Sequence, residues 1–168
     1  CPGHPAWMEP FERLGGAGAD RWPLHLVSNQ PTARLHSQYD HGEVSQATKV
    51  AGREPVRIHP DTAAARGIRS GDVVRVFNDR GACLAGAVLD DAVMPEVVQL
   101  STGSWYDPDE SGVCRAGNPN VCTRDIGTSQ LAQGPSAHTC LVDIERLEGA
   151  APRVQSYDLP EFADRADL

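Results

Sequence analysis

The chain has 168 residues, 40% of them apolar and 5% aromatic, enough for one domain with a core of Val, Leu, Ile and Ala. A formal net charge of −8 excludes a nonspecific nucleic-acid binder, which needs a basic face to meet phosphates, but leaves room for one phosphorylated small ligand. No apolar run is long enough to cross a membrane, and five cysteines without a C-x-x-C pair argue against zinc, redox-motif and disulfide-framework readings.

In chain order, residues 1–23 are rich in Pro, Gly and Trp without a clear period and read as an N-terminal arm or linker. Leu24 to Val27 is a short buried strand. A polar stretch, "SNQPTARLHSQYDHG", follows it and runs on to Arg53-Glu54-Pro55. Val56-Arg57-Ile58-His59 alternates apolar and polar side chains and predicts a strand. Pro60 suits the first position of a short helix, Asp61 its positive end, and Gly67 a left-handed stop. Gly71-Asp72 makes a turn into the β-branched strand Val73 to Phe77, and Asn78-Asp79-Arg80-Gly81 signals a hairpin. Ala82 to Leu89 returns as a strand whose small side chains let another backbone lie close. Val97 to Leu100 is a further strand, and Thr139 to Ile144 is the last. Between these two, Ser101 to Gly134 is polar, glycine-rich and too long for a simple connector. The tail from Glu148 reads as an extended arm. The pattern divides the chain into 1–23, a body over 24–147 and a tail over 148–168. Six or seven short strands with one or two small helices make a mainly β chain, and a closed barrel suits it because closure removes exposed edges.

The two long polar loops are the candidate site, positioned by that barrel. In the first, Arg34 offers a planar fork of donors for phosphate or carbonyl oxygens, His36, Ser37 and Gln38 supply compact donors and acceptors, and Asn29 and Gln30 add amides. The same residues also admit a plain solvated loop, a stand-alone small barrel that binds another nucleotide or serves as an interaction module, and, through the His-Ser pair, a hydrolase, although adjacency in sequence does not supply the geometry a nucleophile needs. In the second loop, "GNPNVCTRDIGTSQLAQG", Asp125 has the chemistry to accept two parallel bonds from the N–H edge of guanine or a pterin. Asn118 and Asn120 match a donor–acceptor edge, or serve as turn residues and caps. His59 reads as a packed or capping histidine, Asp79 and Arg80 as braces of their turn, and Trp105-Tyr106-Asp107-Pro108 as a lid or an anchor. No His, Cys or carboxylate set has metal-ligand spacing.

Four segments stand in one order: "SNQPTARLHSQYDHG", "GREPVRIHPDTAAARGIRSGDVVRVFNDRGACLAGA", "STGSWYDP" and "GNPNVCTRDIGTSQLAQG". Together they resemble the C-terminal, cofactor-binding domain of the dimethyl-sulfoxide reductase family of molybdenum enzymes. Within that family the likeness is to the biotin sulfoxide reductase branch, then to the trimethylamine N-oxide reductase branch. "PGHPAWMEP" resembles the segment leading into that domain, and the likeness spans residues 2–145, with a fainter echo to Phe162. The resemblance implies a double-psi β-barrel that closes over bis(molybdopterin guanine dinucleotide), with molybdenum bound mainly elsewhere. It implies that Ser28, Asn29, Gln30, Arg34, Leu35, His36, Ser37 and Gln38 contact one pterin or its pyrophosphate, and that Asn118, Asn120 and Asp125 contact the cofactor from the second loop. The "NQP" at Asn29–Pro31 departs from the "HP" form of other members. The whole enzymes reduce S-oxides or N-oxides, so upstream domains of the same polypeptide and a small sulfoxide or N-oxide are the expected partners, with neither nucleic acid nor membrane. A chain that opens on Cys1 rather than Met reads as a piece of such an enzyme, inactive alone, with any targeting signal upstream. Free thiols point to the cytoplasm, with the periplasm also open.

Overall fold

The computed structural model describes residues 3–160 and 162. Residues 1–2, 161 and 163–168, parts of the expected arm and tail, lie outside the described residues. Six strands form the body: β1 (Leu24–Val27), β2 (Pro55–Ile58), β3 (Val73–Phe77), β4 (Ala82–Leu89), β5 (Val97–Leu100) and β6 (Leu141–Arg146). They close in the order β1-β5-β2-β4-β3-β6, with β6 returning to β1. β1–β5 and β2–β4 are parallel, and the other four pairs are antiparallel. Only β3 and β4 are neighbours in both sequence and space. Every other connection crosses an end of the barrel, which is the double-psi arrangement.

Period-2 alternation decides which side chains fill the barrel. Leu24 and Leu26, Val56 and Ile58, Val74 and Val76, Val98 and Leu100, and Val142 and Ile144 point inward and are buried. β4 is buried on both faces from Ala82 to Ala87, because loop backbone lies on its outer side. Leu84 N–H donates to the Cys114 carbonyl at 2.8 Å and Gly86 N–H to the Glu54 carbonyl at 3.0 Å. A Cβ at Gly86 would overlap Val50, so the small side chains of this strand are what admit the second layer. Cys83, Cys114, Cys122 and Cys140 are free and buried, and burial pushes the Cys140 thiol up to about 12.

Local signals place most elements. The Asn78–Gly81 turn closes the β3–β4 hairpin, with Asn78 N–H on the Gly81 carbonyl at 3.0 Å. α2 (Pro60–Ala64) starts on its proline, and Gly67 has φ +63°. His59 leaves the strand to cap that helix, accepting the Asp61 N–H at 3.1 Å. β6 starts two residues later than the pattern predicts, because Thr139 turns back to the Ser136 carbonyl through both its N–H and its hydroxyl. α1 (Glu43–Gln46), inside the first polar loop, has no periodic signal in the sequence. Arg80 touches Asp79 at 3.6 Å, but its main partner is Glu12 of the N-terminal arm, at 2.6 and 3.1 Å. Glu12 also accepts from Arg124 and from Leu141 N–H, at 2.8 and 2.6 Å. Burial would raise its carboxyl, and the Arg80, Leu141 and Arg124 donors more than offset this, holding it below the usual range.

Candidate functional site

Parallel pairing of β1 with β5 brings the two polar loops together. Val27 lies opposite Gln99, so both strands end at the same rim and their loops leave side by side. Pairing continues past the strands, where Thr102 N–H meets the Asn29 carbonyl at 3.0 Å and the Gln99 side chain bonds that of Asn29. Gln30 then clasps His36 twice, its Oε1 accepting the His36 N–H at 3.1 Å and its Nε2 lying 2.7 Å from Nδ1. A tight turn follows, in which Gln38 N–H donates to the Leu35 carbonyl at 2.9 Å. His36 and Tyr39 take φ of +50° and +59°, a region that side chains with a Cβ occupy only when their surroundings hold them there.

What holds this turn is a buried cluster of charge. Arg34 and Lys49 face Asp40 and Glu54, with all four side chains at most 2% exposed. Arg34 lies 3.3 Å from Asp40 and 3.0 Å from Glu54, and Lys49 lies 2.7 Å from each. Arg34 also donates to the carbonyls of His36 and Thr102, at 3.2 and 2.9 Å, and to Ser45 Oγ at 3.2 Å. Burial alone would raise the Asp40 carboxyl. Lys49, Trp105 N–H and the Tyr157 hydroxyl more than offset this, and it stays below the usual range. Burial would likewise lower Lys49, but Glu54 and Asp40 hold it above its ordinary value. Two cations and two anions balance, which makes so dry a cluster tolerable.

The cleft itself opens between the two loops. His36, Ser37, Thr102, Tyr106, Asn118 and Asn120 are among the residues lining a space of about 420 Å³. Gly103, at φ +90°, runs so close to the first loop that a Cβ there would overlap the His36 carbonyl. Trp105 fixes the same wall, its indole N–H donating to the Ser37 carbonyl at 2.8 Å. Opposite, Asn118 caps the 3₁₀ turn Pro119–Val121, its Oδ1 accepting the Asn120 N–H at 3.0 Å. The side chains of Ser37, Tyr106 and Asn120 bond no other described residue and face the cleft with their full donor and acceptor capacity. A second space, of about 370 Å³, lies against the first loop at Asn29, Gln30 and Thr32, with Arg57 and Gln99 beyond.

The predicted site residues therefore fall into distinct places. His36, Ser37, Asn118 and Asn120 meet at one cleft, and Asn29 and Gln30 line the other. Arg34 is turned inward and presents no donor to solvent, so its part is to hold the loop rather than to touch a ligand. Ser28 is buried at the end of β1, while Leu35, Gln38 and Asp125 are exposed and line neither cleft. Among the described residues no helix begins or ends at Asp125, so it caps none. His36 Nδ1 is engaged by Gln30, and no bond joins His36 to Ser37, which leaves no nucleophile–base pair there. Sequence reasoning missed Asp40, Lys49 and Glu54. One signal was available, since Lys49 is the single lysine in a chain whose other side-chain cations are all arginine.

Known proteins share this sequence and this fold. Residues 24–141 match the family described as the molydopterin dinucleotide binding domain. The trimethylamine-N-oxide reductase of Salmonella typhimurium is 54% identical over 166 residues, covering 95% of this chain and 20% of that protein. The dimethyl sulfoxide/trimethylamine N-oxide reductase of Cereibacter sphaeroides is 51% identical over 167 residues, covering 97% of this chain and 20% of that protein. The chain thus spans about one fifth of the length of these curated relatives. Acetylene hydratase from Pelobacter acetylenicus shares the fold, with a TM-score of 0.70 at 18% identity over 85% of this chain and 21% of that one. The resemblance read from four ordered motifs is borne out. With its barrel, its paired loops and most of its length matched, the chain belongs to the molybdopterin dinucleotide-binding domain family.

Proposed function

We propose that this chain is the cofactor-closing domain of a molybdenum oxidoreductase that reduces an S-oxide or an N-oxide with bis(molybdopterin guanine dinucleotide). The observation that carries the reading is the cleft between the loops, where Ser37, Tyr106 and Asn120 offer donors and acceptors that the described protein does not use. A pterin or guanine edge, dense in N–H and carbonyl groups, fits such a lining. The relatives' names, trimethylamine-N-oxide reductase and dimethyl sulfoxide/trimethylamine N-oxide reductase, support the substrate class.

In this reading His36 and Ser37 form one wall and Asn118 and Asn120 the other. Asn29 and Gln30 offer the second cleft to another part of the same extended ligand. Arg34 acts at one remove, fixing the carbonyls of His36 and Thr102. Among the described residues no group of His, Cys, Asp or Glu could hold a metal, so molybdenum would be held by the cofactor and by upstream domains of the same polypeptide. When bound, the cofactor supplies oxygen-atom transfer, and this domain contributes orientation and exclusion of water. Alone, the chain should reduce nothing.

The test is to purify the polypeptide that carries this chain and measure its molybdenum, pterin and guanine nucleotide. Oxidation of a reduced viologen dye is then followed with trimethylamine N-oxide or dimethyl sulfoxide. Equal amounts of pterin and guanine nucleotide, with oxide-dependent dye oxidation, are expected. A folded protein lacking pterin and molybdenum would refute the assignment.

A further inference from the structure

The C-terminal segment over 152–158 lies as a strap beneath the cofactor cleft. The Arg53 guanidinium holds the Pro152 carbonyl, and Val154 packs against the barrel core. Gln155 N–H donates to Asp107 at 2.7 Å, and Asp158 N–H folds back on the Gln155 carbonyl at 3.0 Å. Tyr157 is then delivered to the centre of the charge cluster, its hydroxyl donating to Asp40 Oδ2 at 2.8 Å. Its ring lies 5.8 Å from the Trp105 ring and 5.8 Å from the Lys49 ammonium.

We propose that Tyr157 is a positioning residue for the cofactor cleft, acting through Asp40 on both backbone carbonyls of the His36–Ser37 wall. The inference rests on the reading of that cleft as the cofactor site. Two routes leave the one carboxylate. Asp40 Oδ2 also accepts the Trp105 N–H at 3.0 Å, and the Trp105 indole N–H donates to the Ser37 carbonyl at 2.8 Å. Asp40 Oδ1 lies 3.3 Å from Arg34, whose Nε donates to the His36 carbonyl at 3.2 Å. Without the phenol, Oδ2 keeps a single donor among the described residues, in a site that is 0% exposed. A buried carboxylate left short of donors turns to find others. Any such turn loosens Trp105 and Arg34 together, and with them a wall whose His36 already sits at φ +50°. The strap, distant from the cleft in sequence, thereby sets the shape of its first loop.

Tyr157→Phe keeps the ring beside Trp105 and removes only the hydroxyl. Arg153→Ala is the control, because among the described residues Arg153 bonds only within the strap, to Asp158 and to the Val154 carbonyl. Both variants would be made in the whole polypeptide. Hydrogen exchange would be followed at peptides over 36–39 and 103–106, with and without cofactor, together with the rate of pterin release from loaded protein. Tyr157→Phe should speed exchange at both peptides in either state, and pterin release about three- to tenfold, the loss expected for one hydrogen bond. Arg153→Ala should change neither. Unaltered exchange in Tyr157→Phe overturns the proposal, and so does faster exchange with unaltered release from a protein that holds pterin. If the wild type holds no pterin at all, exchange alone decides: acceleration confined to Tyr157→Phe upholds the coupling while the cofactor assignment falls.

Discussion

Arg34→Ala separates two ways in which an arginine in a polar loop can serve a cofactor. As a direct ligand of phosphate, its loss would weaken retention by about 1.5–3 kcal/mol and leave the fold intact. The structure points to a different effect. Removing the guanidinium takes away ion pairs at 3.3 and 3.0 Å and bonds to the carbonyls of His36 and Thr102, all in a side chain that is 0% exposed. It also leaves Asp40 and Glu54 sharing the single ammonium of Lys49. Breaking a buried ion pair by deleting one partner costs about 3–5 kcal/mol. At about 3 °C per kcal/mol for a domain of this size, the melting temperature should fall by about 9–15 °C. Urea unfolding followed by circular dichroism gives the free energy, and pterin content of the whole polypeptide gives retention. A variant that melts like the wild type but arrives without pterin would refute the internal role and restore Arg34 as a direct contact.

Other perturbations probe the rim of the cleft and the charge cluster. Gly103→Ala should cost at least ~1 kcal/mol and displace the His36–Ser37 turn, because the residue sits at φ +90° and its new Cβ would overlap the His36 carbonyl. A thermal melt reads the first effect and amide exchange at Ser37 the second. Asn120→Ala, at an exposed position, should change stability by less than ~0.5 kcal/mol while weakening cofactor retention by ~1 kcal/mol. Asp125→Asn should change neither, since Asp125 is exposed and lines neither cleft. Acid should unfold the chain through Asp40 and Glu12. Both carboxyls are held below their ordinary values of 3.8 and 4.5, so the unfolded state takes up protons first as the pH falls. The stability they contribute is present above those ordinary values and is lost as the pH drops through the depressed folded ones. Melting temperature should therefore hold from neutrality to about pH 5 and fall below it, and a decline between about pH 8 and 6 would point to histidine instead.

The sequence by itself determined the strands, the hairpin and the short helix. Those elements rest on neighbours in the chain: alternation in Val56–His59, the β-branched run Val73–Phe77, a proline and a capping histidine ahead of α2, a glycine at the end of the β3–β4 turn. Four ordered motifs were also enough to name the family. The tertiary structure alone decided which residues meet. Pairing of Val27 with Gln99 joins positions far apart in the chain, and nothing local encodes a parallel partner, yet this pairing brings Ser37 to Asn120 across one cleft. It also decided which way a side chain points. An arginine in a loop looks the same in sequence whether it faces a ligand or the interior. Arg34 faces inward because Asp40 and Glu54 wait there with Lys49, and a charge taken from water is held only where opposite charges have been assembled to meet it.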